Sequence, residues 1–351
     1  MAGSRRPVTT LKDVARLAGV SEGTASLALN RRKGVNAETC RRVVEAARQS
    51  GYHPNRIAQG LATQRTKTVG FSVTEIENPF FAALTRHITE FMRRAGYRLL
   101  VSMSNEDPAQ EDEIIEEFIE ERAEAVIIVP TLARRTSFAV FDALERNGIP
   151  YVFATAYYPG RDRDIDCVMT DLEEGAYQLT KYLLDLNHRK IFFATVADVD
   201  AVPTRDRLLG FQRAMAEYGA EQGLRLIIDS PRADYQSGYS AGRGLVTSGM
   251  ADAIIALNDI LALGVSTAVR EGGFRVPEDV SVCGYDDVIF ASIAEIPLTT
   301  VRQDVEKIAR EVVHLTTQRI RGDARPSQIL KLRPDLVIRR STAPKKKGKI
   351  V

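Results

Sequence analysis

Short β-branched runs alternate with amphipathic helical stretches from Thr68 onward. The runs read TVGFSV, YRLLVSMS, EAVIIVP, PYVFATA, CVMTD, KIFFATV, RLIID, ADAIIAL and VSVCGYD. Such alternation is typical of parallel sheets that helices cover on both faces. Nine strands are more than a single sheet with strands of these lengths usually contains. The pattern therefore predicts two doubly wound α/β lobes, divided near residues 156–171 and rejoined around 298–304. Ligands of such folds bind beyond the carboxyl ends of the strands, here in the cleft between lobes.

The first fifty residues follow a different pattern, that of three short helices. Thr10 and Asp13 have the spacing of a capping box, and Gly19 can supply the left-handed turn that ends the first helix. Ser21 is placed to cap a second helix that runs to about Asn30. Two short helices joined by a tight turn that contains glycine form a helix-turn-helix unit.

A third helix is predicted between Asn36, its cap, and Gly51, beyond its end. Its inner side is predicted to carry four apolar residues, Val43, Val44, Ala46 and Ala47. The three helices would then share one small core and leave the second helix exposed.

The net charge of +2 conceals an uneven distribution. Residues 1–67 carry 13 Lys/Arg and 4 Asp/Glu (+9), residues 68–340 carry 31 and 42 (−11), and four lysines follow (+4). A basic module on an acidic body is expected when one end meets a polyanion. A solvated basic tail is the alternative, and the helical pattern inside the basic segment favours nucleic acid.

The cysteines and the N-terminus indicate a cytoplasmic protein. Cys40, Cys167 and Cys283 are odd in number and widely spaced, without a CxxC pair, so reduced thiols are expected. The N-terminus has no long apolar stretch, so we expect neither a secretory signal nor a membrane anchor. We also expect no metal and no cofactor.

Longer motifs resemble the lac repressor family of transcription regulators. TLKDVARLAGVSEGTASLALN and VNAETCRRVVEAARQSGYHPNRIAQGLA resemble its DNA-binding head and hinge. ENPFF, RLLGF, LNDILALG, VPEDVSVCGYDD and PLTTVRQD are similar to its core and to periplasmic sugar-binding proteins. The resemblance covers about residues 8–340.

The resemblance implies an all-α helix-turn-helix head and a two-lobed core like that of periplasmic binding proteins. We place the parts at 1–50 (head), 51–67 (hinge), 68–340 (effector-binding and dimerisation core) and 341–351 (basic tail). The N-lobe would comprise about 68–168 and 302–332, and the C-lobe about 169–301 and 333–340.

The resemblance also implies which residues contact DNA. Base contacts fall on Glu22, Gly23, Ser26 and Leu27. Phosphate contacts fall on Thr9, Ser21, Thr24, Asn30 and Arg41. The hinge would enter the minor groove through Asn55, Arg56, Ala58, Gln59 and Leu61, with Leu61 as a wedge that kinks the duplex. Leu27 stands where an arginine is common, so we expect an unusual operator, and Glu22 has stabilisation of the helix dipole as an alternative role.

The effector site implied by the resemblance is suited to a sugar or sugar derivative. Its residues would be Asn78, Phe80, Asp171, Arg207, Tyr235, Asn258 and Asp286. Carboxylates, amides and a guanidinium bind adjacent hydroxyls, and aromatic rings cover an apolar sugar face. The alternatives are core packing for the aromatic residues and a structural salt bridge for Arg207 with Asp286.

Two other classes of function fit the sequence less well. No nucleophile, base or metal set has convincing spacing, and Gly242-Arg243-Gly244 lacks the third glycine of a dinucleotide loop, so we predict no enzyme. A transport or chemotaxis binding protein would share the core, but the basic head argues against it. We therefore expect a repressor that binds a palindromic operator as a homodimer.

Overall fold

The structure is a computed structural model of the 351-residue chain. It describes residues 9–30, 34–53, 65–131, 133–161, 164–196, 199–219, 224–228, 232–248 and 251–345. The internal contacts divide the chain into two units, Met1–Thr66 and Lys67–Val351.

The first unit contains three described helices, α1 (Leu11–Ala18), α2 (Glu22–Leu29) and α3 (Ala37–Ser50), each with the predicted cap. The Thr10 hydroxyl accepts from the Asp13 amide, and the Asp13 carboxylate accepts from the Thr10 amide at 3.0 Å. Gly19 and Gly51 end α1 and α3 with φ near 63° and 64°, which favours glycine.

Eight buried side chains from the three helices form the core of this unit, and six of them are alanines. Val43 is fully buried in it, whereas Val44 is 53% exposed. The prediction that Val44 faces the core was therefore wrong. Successive helical residues are about 100° apart, so Val44 turns away from the face that Val43, Ala46 and Ala47 share.

The second unit alternates strands and helices throughout. Its first half consists of β1 (Thr68–Val73), α4 (Pro79–Arg94), β2 (Arg98–Met103), α5 (Pro108–Glu120), β3 (Val126–Ile128), α6 (Ala139–Arg146), β4 (Tyr151–Ala154) and β5 (Asp166–Thr170). Its second half consists of α7 (Leu172–Asp185), β6 (Ile191–Val196), α8 (Val202–Glu217), β7 (Leu224–Ile228), α9 (Tyr235–Ser248), β8 (Ala253–Ala256), α10 (Asp259–Glu271), β9 (Ser281–Asp286), α11 (Ile289–Ile293), β10 (Thr299–Arg302), α12 (Val305–Ile320), β11 (Ile329–Leu332) and β12 (Asp335–Val337).

The strands form two six-stranded sheets, one for each lobe. The N-lobe sheet has the order β11-β5-β4-β3-β1-β2 and is parallel throughout. The C-lobe sheet has the order β12-β10-β9-β8-β6-β7, with only the pair of β10 and β12 antiparallel. This architecture confirms the predicted fold class. Each of the nine predicted runs overlaps one strand, and β10, β11 and β12 were not predicted.

The chain passes between the lobes three times, after β5, after β10 and after β11. It then remains on the C-lobe through Lys345. There Ser341 is buried and its hydroxyl donates to the Val282 carbonyl at 2.6 Å, and the Lys345 Nζ donates to Asp252 at 2.7 Å. Among the described residues, no helix has the length and apolar character needed to cross a lipid bilayer.

Candidate ligand cleft and DNA-binding surface

A cavity lies between the lobes at the carboxyl ends of their parallel strands. The space it encloses, including the part open to solvent, is about 760 Å³. It is lined by Glu75, Asn78, Phe80, Phe81, Glu106, Val129, Pro130, Thr155, Ala156, Leu172, Pro203, Arg207, Arg232, Ala233, Leu257, Asn258, Asp286 and Gln303. We call this cavity the inner compartment. It brings together five of the seven predicted effector residues, Asn78, Phe80, Arg207, Asn258 and Asp286.

Arg207 and Asp286 form the charged centre of the inner compartment. Their side chains are 7% and 6% exposed, with 3.6 Å between Arg207 Nη2 and Asp286 Oδ1. Arg207 lies over the Tyr285 ring at 4.1 Å, and its Nη1 donates to the Pro203 carbonyl at 3.1 Å. The Arg207 Nε is buried without a hydrogen-bond partner among the described residues. Because a buried donor without a partner is costly, this group is suited to a ligand oxygen.

Burial dominates the electrostatics of Asp286. It raises the pKa of this carboxyl to about 6, while Arg207 and the amide of Gln303 act in the opposite direction. The Gln303 Nε2 donates to Asp286 Oδ1 at 2.6 Å. Asp286 ends β9 with φ 109°, a conformation rare for a side-chain-bearing residue. A strained, buried carboxylate at a strand end is a common feature of functional sites.

The two asparagines of the inner compartment also cap helices. Asn78 accepts from the Phe80 amide at 3.0 Å at the start of α4. Asn258 accepts from the Leu261 amide and donates to the Ala233 carbonyl, both at 2.8 Å, at the start of α10. Their amides are thus held in place by the backbone, which fixes the direction they present to a ligand.

Two predicted effector residues do not line this cavity. Asp171 caps α7 and accepts from the Glu174 amide at 3.3 Å. Tyr235 begins α9 and is 43% exposed. The lining also includes polar residues that sequence reasoning missed, namely Glu75, Glu106, Arg232 and Gln303. Glu75, Glu106 and Gln303 follow β1, β2 and β10, so the rule that ligands bind beyond strand ends could have identified them.

In the head, α2 exposes one face and buries the other. Glu22, Gly23 and Leu27 are exposed and Ser26 is partly exposed, so all four predicted base-contact residues present some surface. The buried face of α2 consists of Ala25 and Ala28.

The predicted phosphate-contact residues are Thr9, Ser21, Thr24, Asn30 and Arg41. Ser21 caps α2, accepting from the Thr24 amide at 3.1 Å, and the Thr9 hydroxyl donates to the Ser50 carbonyl at 2.8 Å. Arg41 is exposed on α3. The predicted hinge residues, Asn55, Arg56, Ala58, Gln59 and Leu61, lie outside the described residues.

The part of the chain that the structure describes contains no cluster of three or more His, Cys, Asp or Glu side chains suited to a metal ion. The buried cysteines Cys167 and Cys283 have strongly raised pKa values because burial disfavours the thiolate.

Comparisons with known proteins match both units. Residues 10–55 match the model of bacterial regulatory proteins of the lacI family, and residues 180–342 match a periplasmic binding protein-like domain. The chain is 30% identical to the HTH-type transcriptional regulator DegA of Bacillus subtilis, over 96% of this chain and 98% of that protein. It is 29% identical to the HTH-type transcriptional repressor PurR of Photobacterium profundum, over 95% and 98%.

Solved structures agree over nearly the whole chain. A lac repressor dimer bound to operator and an anti-inducer has a TM-score of 0.84 at 26% identity, covering 96% of this chain and 99% of that one. A complex of the transcriptional regulator CelR with cellobiose has a TM-score of 0.71 at 29% identity, covering 95% and 99%. The helix-turn-helix head, the two-lobed core and these full-length relatives lead to one conclusion. The chain belongs to the lacI family of bacterial regulatory proteins, which are DNA-binding transcription regulators with a ligand-binding core.

Proposed function

We propose that this chain is a cytoplasmic transcription repressor whose operator affinity is set by a sugar or sugar derivative in the inner compartment. The observation that carries the effector assignment is the buried pair of Arg207 and Asp286 at the cavity, with the Arg207 Nε free to donate. The relatives are named as transcription regulators, and we propose no catalytic role for this cleft.

The side chains of the inner compartment suit a polyol. The carboxylate of Asp286 accepts from hydroxyl groups, and the guanidinium of Arg207 donates to them in a fixed geometry. Phe80, which is 4% exposed, supplies an apolar surface for the face of a sugar ring. The relative CelR was solved with cellobiose, which supports this ligand class.

On the DNA side, α2 would lie in the major groove. Glu22 would accept from a cytosine amino group and Leu27 would contact a thymine methyl. The predicted phosphate contacts, Thr9, Ser21, Thr24, Asn30 and Arg41, would set its orientation. We propose the hinge over residues 51–67, with Leu61 as the minor-groove wedge.

Two copies of the chain are needed to read a palindromic operator with two heads, so we propose a homodimer. The lac repressor was solved as a dimer on its operator, which supports this assembly. Ligand in the cleft would change the relation between the lobes and hence the spacing of the two hinges. A coupling of about 1–3 kcal/mol would change operator affinity about 5- to 150-fold.

The test begins with a thermal-shift screen of the full chain against pentoses, hexoses, polyols, sugar derivatives and nucleosides. Calorimetry then compares the best ligand on wild type, Arg207→Ala and Arg213→Ala. Arg213 is a matched control because it lies on the same helix, pairing with Glu173 and Glu174 outside the lining.

We expect Arg207→Ala to abolish ligand binding while Arg213→Ala retains it and both variants bind operator. Unchanged ligand affinity in Arg207→Ala would remove Arg207 from the site. Retained ligand binding without preference for any fragment in a genomic gel shift would favour a transport or chemotaxis binding protein instead.

A further inference from the structure

A second cavity, the outer compartment, adjoins the inner one. The two cavities share Pro130, Ala156 and Pro203 in their linings. The open volume of the outer compartment is about 1130 Å³. The two compartments are therefore adjacent, with the residues they share forming the boundary between them.

The two compartments differ in the sign of their charge. The inner lining carries three carboxylates, Glu75, Glu106 and Asp286, against the two guanidiniums of Arg207 and Arg232. The outer lining carries the guanidiniums of Arg134 and Arg205 against the single carboxylate of Asp200, besides Arg135, whose charge is neutralised by two buried carboxylates. A negatively charged group is therefore disfavoured in the inner compartment and favoured in the outer one.

Arg135 is held by the protein itself. Its side chain is 2% exposed and pairs with Glu111 at 2.9 Å and with Asp112. Glu111 also accepts from the Tyr158 hydroxyl at 2.7 Å and from the Thr131 amide at 3.2 Å. This buried network fixes the wall of the outer compartment, and it leaves Arg135 without a free charge for a ligand.

Arg134 is the available cation. It lines the outer compartment, is exposed, and has neither an ion pair nor a hydrogen bond among the described residues. Opposite it, Arg205 projects from the C-lobe and donates to Asp206 at 3.0 and 3.2 Å. Asp206 is also 3.8 Å from Lys331, so the charge of Arg205 is only partly neutralised.

The beginning of α8 adds to this positive environment. Its cap residue, Ala201, provides no side-chain hydrogen bond, and the first turn carries no acidic residue that lowers the positive potential of the helix start. Ala201, Val202 and Pro203 all line the outer compartment. The partial positive charge of a helix start favours nearby anions, in support of the two arginines.

We infer that the effector is an anionic sugar derivative, with its polyol in the inner compartment and its oxyanion beside Arg134 and Arg205 in the outer one. Both a sugar phosphate and a sugar acid carry this chemistry. The inference rests on the proposed function, because it assumes that the inner compartment binds a polyol.

The experiment measures calorimetric affinities of the full chain for matched sets of ligands. Each set contains a neutral sugar, its 6-phosphate, its uronic acid and a disaccharide built from it, for glucose, galactose, mannose and fructose where the derivative exists. Each set is measured at low and high salt on wild type, Arg134→Gln and Arg146→Gln. Arg146 is the control because it is an exposed arginine of the same lobe, outside both linings.

We expect the anionic member of one set to bind about ten- to a hundredfold more tightly than its neutral parent, the gain of a charge-assisted hydrogen bond. Arg134→Gln and high salt should each remove most of that gain, and Arg146→Gln should not. Preference for the phosphate or for the uronic acid then distinguishes the two sources of the oxyanion.

Equal or tighter binding of the neutral sugar or the disaccharide would overturn the inference, as would an anion preference that survives in Arg134→Gln. In those cases a neutral ligand that still changes operator affinity would leave the proposed function intact. If ligands bind but none changes operator affinity, the proposed function fails independently of charge.

Discussion

The pH dependence of stability should carry a distinct contribution from Asp286. Replacing it with asparagine, Asp286→Asn, retains the shape of the side chain and removes its titration. Asp286 is 6% exposed, and its pKa in the folded chain is raised from 3.8 to about 6, chiefly by burial. We compare the free energy of unfolding of the variant with that of wild type at each pH, so that titrating groups that do not interact with Asp286 cancel. Asp259 is the exception, because the charge of Asp286 contributes to its raised pKa.

The sign follows from proton binding. Between pH 3.8 and about 6 the folded chain retains the Asp286 proton, whereas the unfolded chain releases it. Wild type therefore loses stability relative to Asp286→Asn as pH rises through this interval, and the difference is constant above it. At about 1.4 kcal/mol for each pH unit, the accumulated loss is about 3 kcal/mol.

The assay is urea unfolding followed by far-UV circular dichroism at half-unit steps from pH 4 to 7.5. A constant offset between the two profiles is expected as well, because the amide differs from the carboxyl group in its hydrogen bonding. Only the change of the offset with pH reports the titration. Profiles that stay parallel within about 1 kcal/mol, or that diverge in the opposite direction, would refute the assignment of a raised pKa to Asp286.

Two further substitutions test the fold and the DNA-binding surface. A Cβ at Gly210 would lie 2.0 Å from the Glu173 carbonyl oxygen, so Gly210→Ala should lower the free energy of unfolding in urea by about 1–3 kcal/mol. A Cβ at Gly244 would have no atom within 4 Å, so the control Gly244→Ala should be neutral or slightly stabilising. Equal effects of the two substitutions would contradict the close packing of α7 on α8. Leu27→Arg should create a preference for guanine of about 1–3 kcal/mol in the binding sites that it selects. The control is Leu17→Arg, at an exposed position on α1. The same guanine preference in this control would show that position 27 does not contact a base.

The sequence predicted those parts of the fold that depend on local physics. Helix caps at Thr10, Ser21 and Asn36 are local signals, since each satisfies an amide three residues ahead. The nine predicted strands are mostly buried on both faces and therefore read as continuous apolar runs. Val44 was assigned to the core because apolar character alone does not distinguish adjacent positions on a helix.

The three strands that were not predicted are short segments that become strands only by pairing with a neighbouring strand. Each of β10, β11 and β12 has three or four residues, and β11 and β12 are only partly buried, so neither length nor hydrophobicity marks them. They exist because β10 pairs with β9, β11 with β5, and β12 with β10. Pairing across more than a hundred residues, as for β11 and β5, leaves no local signal.

The candidate site was predictable only in part, for a related reason. Arg207 and Asp286 lie in motifs that the family resemblance marks, and the structure brings them together across 79 residues of sequence. Glu111 is fully buried beside the outer compartment, but it lies on a helix with several other acidic residues, so the sequence does not indicate that it is buried. Only the folded chain brings it to Arg135, Tyr158 and Thr131.

We propose above that occupancy of the cleft controls the affinity of the chain for its operator. The most direct measurement is the fluorescence anisotropy of a selected operator titrated with the full chain, once empty and once saturated with the ligand found by thermal shift. We expect the two operator affinities to differ by about 5- to 150-fold. Identical affinities, with calorimetry showing the cleft to be occupied, would contradict it.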